Sequence, residues 1–187
     1  QTCALPIFYF DGNGDYLTVP DSDALEGFSD FTIEFWLFIV SKSNGALITK
    51  GANLQTTYSP YVIYFNGSGD LRFLASTTGS SWLVDMPISL SANLPMNQWM
   101  HVAVTRSGST FYTFVNGVLI NSNAAGATAL MTNSEVLSIG SSVPTGQIFY
   151  FGACYVSNLR ILKGTALYTA NFTPPTQPYT SIANTSL

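Results

Sequence analysis

The sequence predicts an all-β domain built of two stacked sheets, and three observations carry that prediction. Short runs of alternating apolar residues recur along most of the chain, separated by turn residues. No stretch of ten or more residues keeps a capped 3.6-residue apolar period, so helix is expected only as short turns near Asp21–Leu25 and Thr165–Tyr168. The 187 residues are 47% hydrophobic and 14% aromatic, enough apolar side chain for one sizeable core. Roughly a dozen short strands in one domain must stack as two sheets or close as a barrel.

Tyr16–Val19, Phe31–Ile39 and Ala46–Lys50 open the series of expected strands. Phe31, Ile33, Phe35, Leu37 and Ile39 share one face of the second run, while Trp36, Phe38 and Val40 make the other face apolar as well. Such a strand belongs at the centre of a sandwich with something covering each side. Tyr61–Asn66 and Asp70–Ala75 flank Gly67-Ser68-Gly69 and read as a hairpin. Trp99–Arg106, Thr110–Val115 and Val118–Asn121 follow, and the last two are joined by Asn116-Gly117. Both residues of that pair tolerate the positive φ of a type I′ turn. Val136–Gly140 and one long run, Phe149–Leu162, close the list. The expected core includes Phe31, Ile33, Phe35, Val102, Val104, Phe114 and Leu159. From Thr173 onward the chain is rich in Pro and Thr and loses alternation, which reads as an extended edge segment running into a linker.

Composition excludes several classes. Only 9% of residues are charged, against about a quarter in a typical domain. The net charge of −4 argues against nucleic acid or an anionic membrane as partner, and Lys42, Lys50, Arg72, Arg106, Arg160 and Lys163 are scattered along the chain. No apolar run is long enough to span a bilayer. Disordered chains are poor in aromatics and rich in charge, the reverse of this one. Gln1-Thr2-Cys3-Ala4-Leu5-Pro6-Ile7 reads as a translated sequencing-adapter scar, the alternative being an ordinary first strand. Cys3 and Cys154 are the two cysteines, and they supply neither a disulfide framework nor a C-x-x-C zinc pair.

Several phrases carry a family resemblance. They are Phe10-Asp11-Gly12-Asn13-Gly14-Asp15-Tyr16-Leu17-Thr18-Val19-Pro20, Phe31-Thr32-Ile33-Glu34-Phe35-Trp36 and Leu47-Ile48-Thr49-Lys50-Gly51. Further along come Trp99-Met100-His101-Val102-Ala103-Val104-Thr105-Arg106, Phe114-Val115-Asn116-Gly117-Val118, Val156-Ser157-Asn158-Leu159-Arg160-Ile161 and Lys163-Gly164-Thr165-Ala166-Leu167-Tyr168. Together they resemble laminin-G-like domains of the concanavalin A-like lectin/glucanase type. Phe172-Thr173-Pro174-Pro175 is similar to the subgroup found in phage tail or virion proteins and bacterial surface proteins. The resemblance implies an antiparallel jelly-roll β-sandwich over residues 8–178, with residues 179–187 starting a linker in a longer modular protein. One departure is Cys154 with bulky Tyr155, where relatives tend to carry small residues. The fold hosts lectins, adhesion modules, enzymes and spacers, so it leaves function open.

Glycoside hydrolysis needs two carboxylates about 5 to 10 Å apart. Glu34 has only Asp30 within four residues along its strand, so it reads as a structural acid accepting bonds from a neighbouring loop. Seven of the ten acids fall between Asp11 and Glu34, a stretch that reads mostly as solvated loop. His101, the single histidine, reads as a hydrogen-bonded sheet residue. Asp11, Asn13 and Asp15 offer oxygen donors at the alternating spacing that Ca²⁺ prefers, although a tight Asx-rich turn explains the same residues. A sugar has an apolar C–H face and a hydroxyl rim, so glycan binding would use rings beside neutral polar groups. Tyr58 and Tyr61, after Asn53-Leu54-Gln55, and Trp82, beside Ser80-Ser81, are the loop rings that fit. The expected function is therefore a non-catalytic recognition or adhesion module on a cell or virion surface. Its expected partner is a surface glycan, or else other virion or surface subunits if the domain is a structural spacer, with structural Ca²⁺ as the one cofactor considered.

Overall fold

The computed structural model describes residues 6–51, 58–142, 149–179 and 182, with Phe149 and Tyr150 described as backbone alone. The first strands are β1 (Ile7–Phe10), β2 (Leu17–Val19), β3 (Phe31–Ile39), β4 (Gly45–Lys50) and β5 (Tyr61–Phe65). They continue as β6 (Leu71–Ala75), β7 (Val84–Ser89), β8 (Trp99–Ser107), β9 (Thr110–Val115) and β10 (Val118–Ala124). β11 (Leu137–Ile139), β12 (Ser141–Ser142), β13 (Phe149–Tyr150) and β14 (Cys154–Lys163) complete the set. The first sheet has the order β1-β14-β3-β8-β9-β10. The second runs β12-β13-β4-β5-β6-β7, and β11 joins β2 to β4. All pairings are antiparallel except the short one between β13 and β4. The all-β, two-sheet jelly-roll sandwich is thus as expected.

The core forms where the inward faces of the two sheets meet. Phe31, Ile33, Phe35, Leu37 and Ile39 from β3 and Met100, Val102 and Val104 from β8 face Tyr61, Ile63, Phe65 and Phe73 from β5 and β6. Two expected core residues sit differently. Leu159 is only partly buried against the core, and Phe114 is fully buried on the opposite face of its sheet. What covers Phe114 is the chain beyond β14. Residues 165–179 cross the outer face of the first sheet as an extended strap, where the sequence predicted a helical turn and then an edge segment. Thr32 Oγ1 donates to Thr165 O at 2.8 Å, and Thr105 Oγ1 donates to Tyr168 O at 2.5 Å. Phe172 N donates to Gly117 O in the β9–β10 hairpin at 2.9 Å. Asn116 and Gly117 take φ of +50° and +76°, the pair of positive values the Asn-Gly turn requires. A Cβ on Gly117 would run into the carbonyl of Phe172, so the same glycine makes the turn and admits the strap.

Three further expectations change. β7 escaped the alternation reading because Asp85 and Pro87 interrupt it. Pro87 is tolerated there because β7 is the last strand of its sheet, where a missing N–H costs no ladder bond. The run Phe149–Leu162 breaks into β13 and β14 at Gly152, whose φ is +117°. The only helical turns among the described residues are one-turn 3₁₀ segments at Asp23–Leu25 and Ser91–Asn93. Ile7, inside the segment read as a scar, pairs with Ser157, and Pro6 O accepts from Ser157 Oγ. Cys3 lies outside the described residues. Cys154 is a free, buried thiol in the core, and burial pushes it up to about 12.

Candidate functional site

Three surfaces compete for function: the ground beneath the strap, the outer face of the second sheet, and an exposed row of rings on the first. Beneath the strap sits the most polar cluster. Alternation along β3 turns Glu34 away from the core, yet it is completely buried. Arg160 Nε donates to Glu34 Oε1 at 2.9 Å, and an Arg160 terminal nitrogen donates to the same oxygen. Tyr168 Oη donates to Glu34 Oε2 at 3.0 Å, and His101 Nε2 lies 3.2 Å from that oxygen and 3.1 Å from Tyr179 Oη. The Arg160 guanidinium also lies over the Tyr179 ring at 4.1 Å. Burial alone would raise the Glu34 carboxyl, but His101 and Arg160 outweigh it and hold the group below the usual carboxylate range. Burial in turn raises the Tyr168 and Tyr179 phenols, with Glu34 adding to the effect. Both carboxylate oxygens are taken and sealed from solvent. Glu34 is a structural anchor for the strap, as the sequence implied, and His101 is its sheet neighbour.

The outer face of the second sheet is less covered. Ala46, Val62 and Leu74 form a small apolar floor there, with Tyr64 and Trp82 packed on it. Tyr58 meets Trp82 edge to face, with ring centroids 5.1 Å apart and planes at 70°. Both rings are half-buried, so each is braced while part of its surface stays wet. On the same face Arg72 Nε donates to Asp85 Oδ1 at 2.7 Å. Desolvation and the nearby Asp85 raise the Tyr64 phenol, so it stays a neutral hydroxyl. This is an aromatic pair beside a planar donor, a carboxylate and a phenol. Tyr61, the third ring expected here, is corrected by the structure. It is fully buried, stacks on Phe28 at 5.3 Å and donates its hydroxyl to Leu25 O at 2.9 Å. Tyr61 lies opposite Ala75 in the β5–β6 ladder and points inward, so Tyr64 takes the outward place. Asn53, Leu54 and Gln55 lie outside the described residues.

Sequence reasoning missed a row of rings on the first sheet. Tyr9 lies opposite Tyr155, Tyr155 opposite Phe38 and Phe38 opposite Trp99, so four strands place one ring each in line. Centroid spacings are 4.7, 5.7 and 5.7 Å. Tyr9 and Trp99 are the most exposed, at 49% and 39%. The signal in sequence was Tyr155, the bulky residue that departs from the family pattern. The rings tilt against one another by up to 87°, so the row is corrugated.

The acid-rich loop between β1 and β2 forms a turn of its own. Asn13 N donates to Asp11 Oδ1 at 2.6 Å, and Asp11 N donates to Asp15 Oδ2 at 3.2 Å. Each carboxylate keeps one oxygen outside these bonds, and Asn13 adds its amide oxygen. Among the described residues, no group of three or more His, Cys, Asp or Glu side chains is placed to hold a metal. The neighbouring Asp21–Leu25 stretch is less solvated than its composition implied. Buried Lys50 lies 2.7 Å from Asp21 Oδ1 and 3.1 Å from Glu26 Oε2, and Glu26 itself is buried. With Arg106 fully buried and Arg160 nearly so, few cations are left on the surface. No helix among the described residues is long and apolar enough to cross a membrane.

The fold is shared with known binding domains. The receptor binding domain of botulinum neurotoxin D superposes with a TM-score of 0.66 at 13% identity, over 90% of this chain and 43% of that one. The binding domain of Paraclostridial Mosquitocidal Protein 1 gives 0.62 at 16%, over 89% and 44%. A heptameric SAP-like pentraxin from Limulus polyphemus gives 0.53 at 17%, over 90% and 74%. The chain thus spans less than half the length of the toxin domains it matches. No curated protein matches its sequence significantly. The family model for laminin-G-type domains matches residues 11–167, and the chain belongs to the concanavalin A-like lectin/glucanases superfamily.

Proposed function

We propose that the domain is a non-catalytic recognition module that binds a neutral glycan on the outer face of the second sheet. The observation that carries this reading is the Tyr58–Trp82 pair, braced edge to face on its apolar floor and flanked by Tyr64 and the Arg72–Asp85 pair. A ring takes the apolar face of a sugar, while the guanidinium, carboxylate and phenol satisfy its hydroxyls. A surface short of cations suits neutral better than sulfated glycans. We place the module in a larger virion or cell-surface protein, where repetition would turn weak single contacts into avidity. A tetramerised form screened on a broad glycan array is expected to bind neutral oligosaccharides, the single domain at high micromolar or weaker, on the order of −4 to −6 kcal/mol. Failure to bind any glycan would reject the reading, and sugar released from a polysaccharide would make the domain an enzyme.

A second reading, a spacer or decoration domain held by protein–protein contacts, draws on the Tyr9–Tyr155–Phe38–Trp99 row. Exposed rings of these kinds are enriched in protein interfaces. The adjoining proposal of structural Ca²⁺ at Asp11, Asn13 and Asp15 rests on the side-chain oxygens left over from the turn. If the ion binds, millimolar Ca²⁺ raises the melting temperature by mass action, and Asp11→Asn with Asp15→Asn removes the response. An unchanged melting temperature with Ca²⁺ or EGTA would leave the loop a plain turn.

A further inference from the structure

The two sheets part along one side of the sandwich. β1 ends the first sheet, β2 pairs only with β11 in the second, and between them lies a cleft of about 420 Å³. Its walls are Phe8, Leu17, Val19, Ile139, Val156 and Leu159, with Ser157 and Asn158 also on its lining and no charged side chain. A concavity of this size, mostly apolar with few polar groups, has the makeup of a small-molecule site.

Asn158 supplies a second, independent observation. It holds φ at +54° where β14 bulges between Ser157 and Arg160. Its Oδ1 accepts from Tyr179 N at 3.5 Å, while its Nδ2 is buried and has no hydrogen-bond partner. A buried amide donor left unpaired is costly, and a ligand acceptor would remove that cost. The walls are aliphatic apart from Phe8, so the matching ligand has an aliphatic body. Since no cation lines the cleft, its acceptor is a neutral carbonyl rather than a carboxylate.

We propose that the cleft between β1 and β2 binds a small free neutral amphiphile, a single acyl chain whose ester or amide carbonyl accepts from Asn158 Nδ2. This site is separate from the Tyr58–Trp82 surface. The test is displacement of N-phenyl-1-naphthylamine fluorescence by 1-decanoylglycerol, with decanoate and phosphatidylcholine vesicles as comparison probes. Wild-type protein is expected to give saturable displacement by the ester, with at least tenfold weaker competition from decanoate and no vesicle adsorption. Leu17→Trp fills the mouth from a partly exposed position and is expected to weaken ester binding at least tenfold at unchanged melting temperature. Asn158→Asp keeps a residue tolerant of positive φ but replaces the donor with an acceptor, and is expected to weaken binding up to about tenfold. If that variant folds poorly, Leu17→Trp decides alone. No displacement, equal affinity in Leu17→Trp, equal affinity in a folded Asn158→Asp, equal binding of decanoate, or adsorption to vesicles would each overturn the proposal. Glycan binding by Leu17→Trp should be unchanged, so the two sites fail or stand separately.

Discussion

Glu34→Ala is expected to destabilise the domain by about 3 to 5 kcal/mol, the usual consequence of removing one partner of a buried ion pair. The carboxylate accepts from Arg160 on β14 and Tyr168 on the strap, and it lies against His101 on β8, so three elements lose a common anchor together. Chemical denaturation of the variant checks the magnitude, and proteolysis between residues 165 and 179 checks whether the strap has come loose. The same group sets a pH dependence. Its carboxyl is held low in the folded state, so its contribution is present above the unfolded carboxylate value of about 4.3 and is lost as pH falls through the folded value. Melting temperature followed from pH 7 to pH 3 is expected to fall in the wild type and to fall less steeply in Glu34→Gln. Parallel curves would remove Glu34 from the explanation.

Arg106→Met is expected to cost a comparable amount, about 3 to 5 kcal/mol, through a different mechanism. The Arg106 guanidinium is fully buried over the Phe111 ring at 4.8 Å and serves as a hub for main-chain carbonyls. It donates to Gly108 O at 3.1 Å, Gly126 O at 2.7 Å and Thr128 O at 2.8 Å. Methionine fills much of the volume but leaves these buried acceptors without a donor. Arg106→Lys should recover only part of the loss, because an ammonium cannot reproduce the planar fork. Equilibrium unfolding of the two variants separates them, and a methionine variant as stable as wild type would contradict the hub.

What the sequence revealed follows from how local each feature is. The apolar faces of β3 and the Asn116-Gly117 turn are written into adjacent residues, so both were legible. The strap was not, because Thr173-Pro174-Pro175 has no period and its ties to Thr32, Thr105 and Gly117 run between distant parts of the chain. The burial of Lys50 and Arg106 was hidden for the same reason, since a cation's partners are gathered by folding. At the candidate site, Tyr58 and Trp82 could be picked out as loop rings that need explaining. Choosing Tyr61 over Tyr64 required the β5–β6 register, and one residue's difference in register sends a side chain to the opposite face. The Tyr9–Tyr155–Phe38–Trp99 row needed the register of four strands at once.

The most direct test of the recognition surface is one array experiment on three tetramerised proteins: wild type, Trp82→Ala and Trp99→Ala. If neutral glycans are bound on the second sheet, Trp82→Ala loses at least tenfold in apparent affinity while remaining folded, and Trp99→Ala, on the opposite sheet, binds like wild type. Binding that survives Trp82→Ala, or that disappears with Trp99→Ala instead, would contradict the assignment.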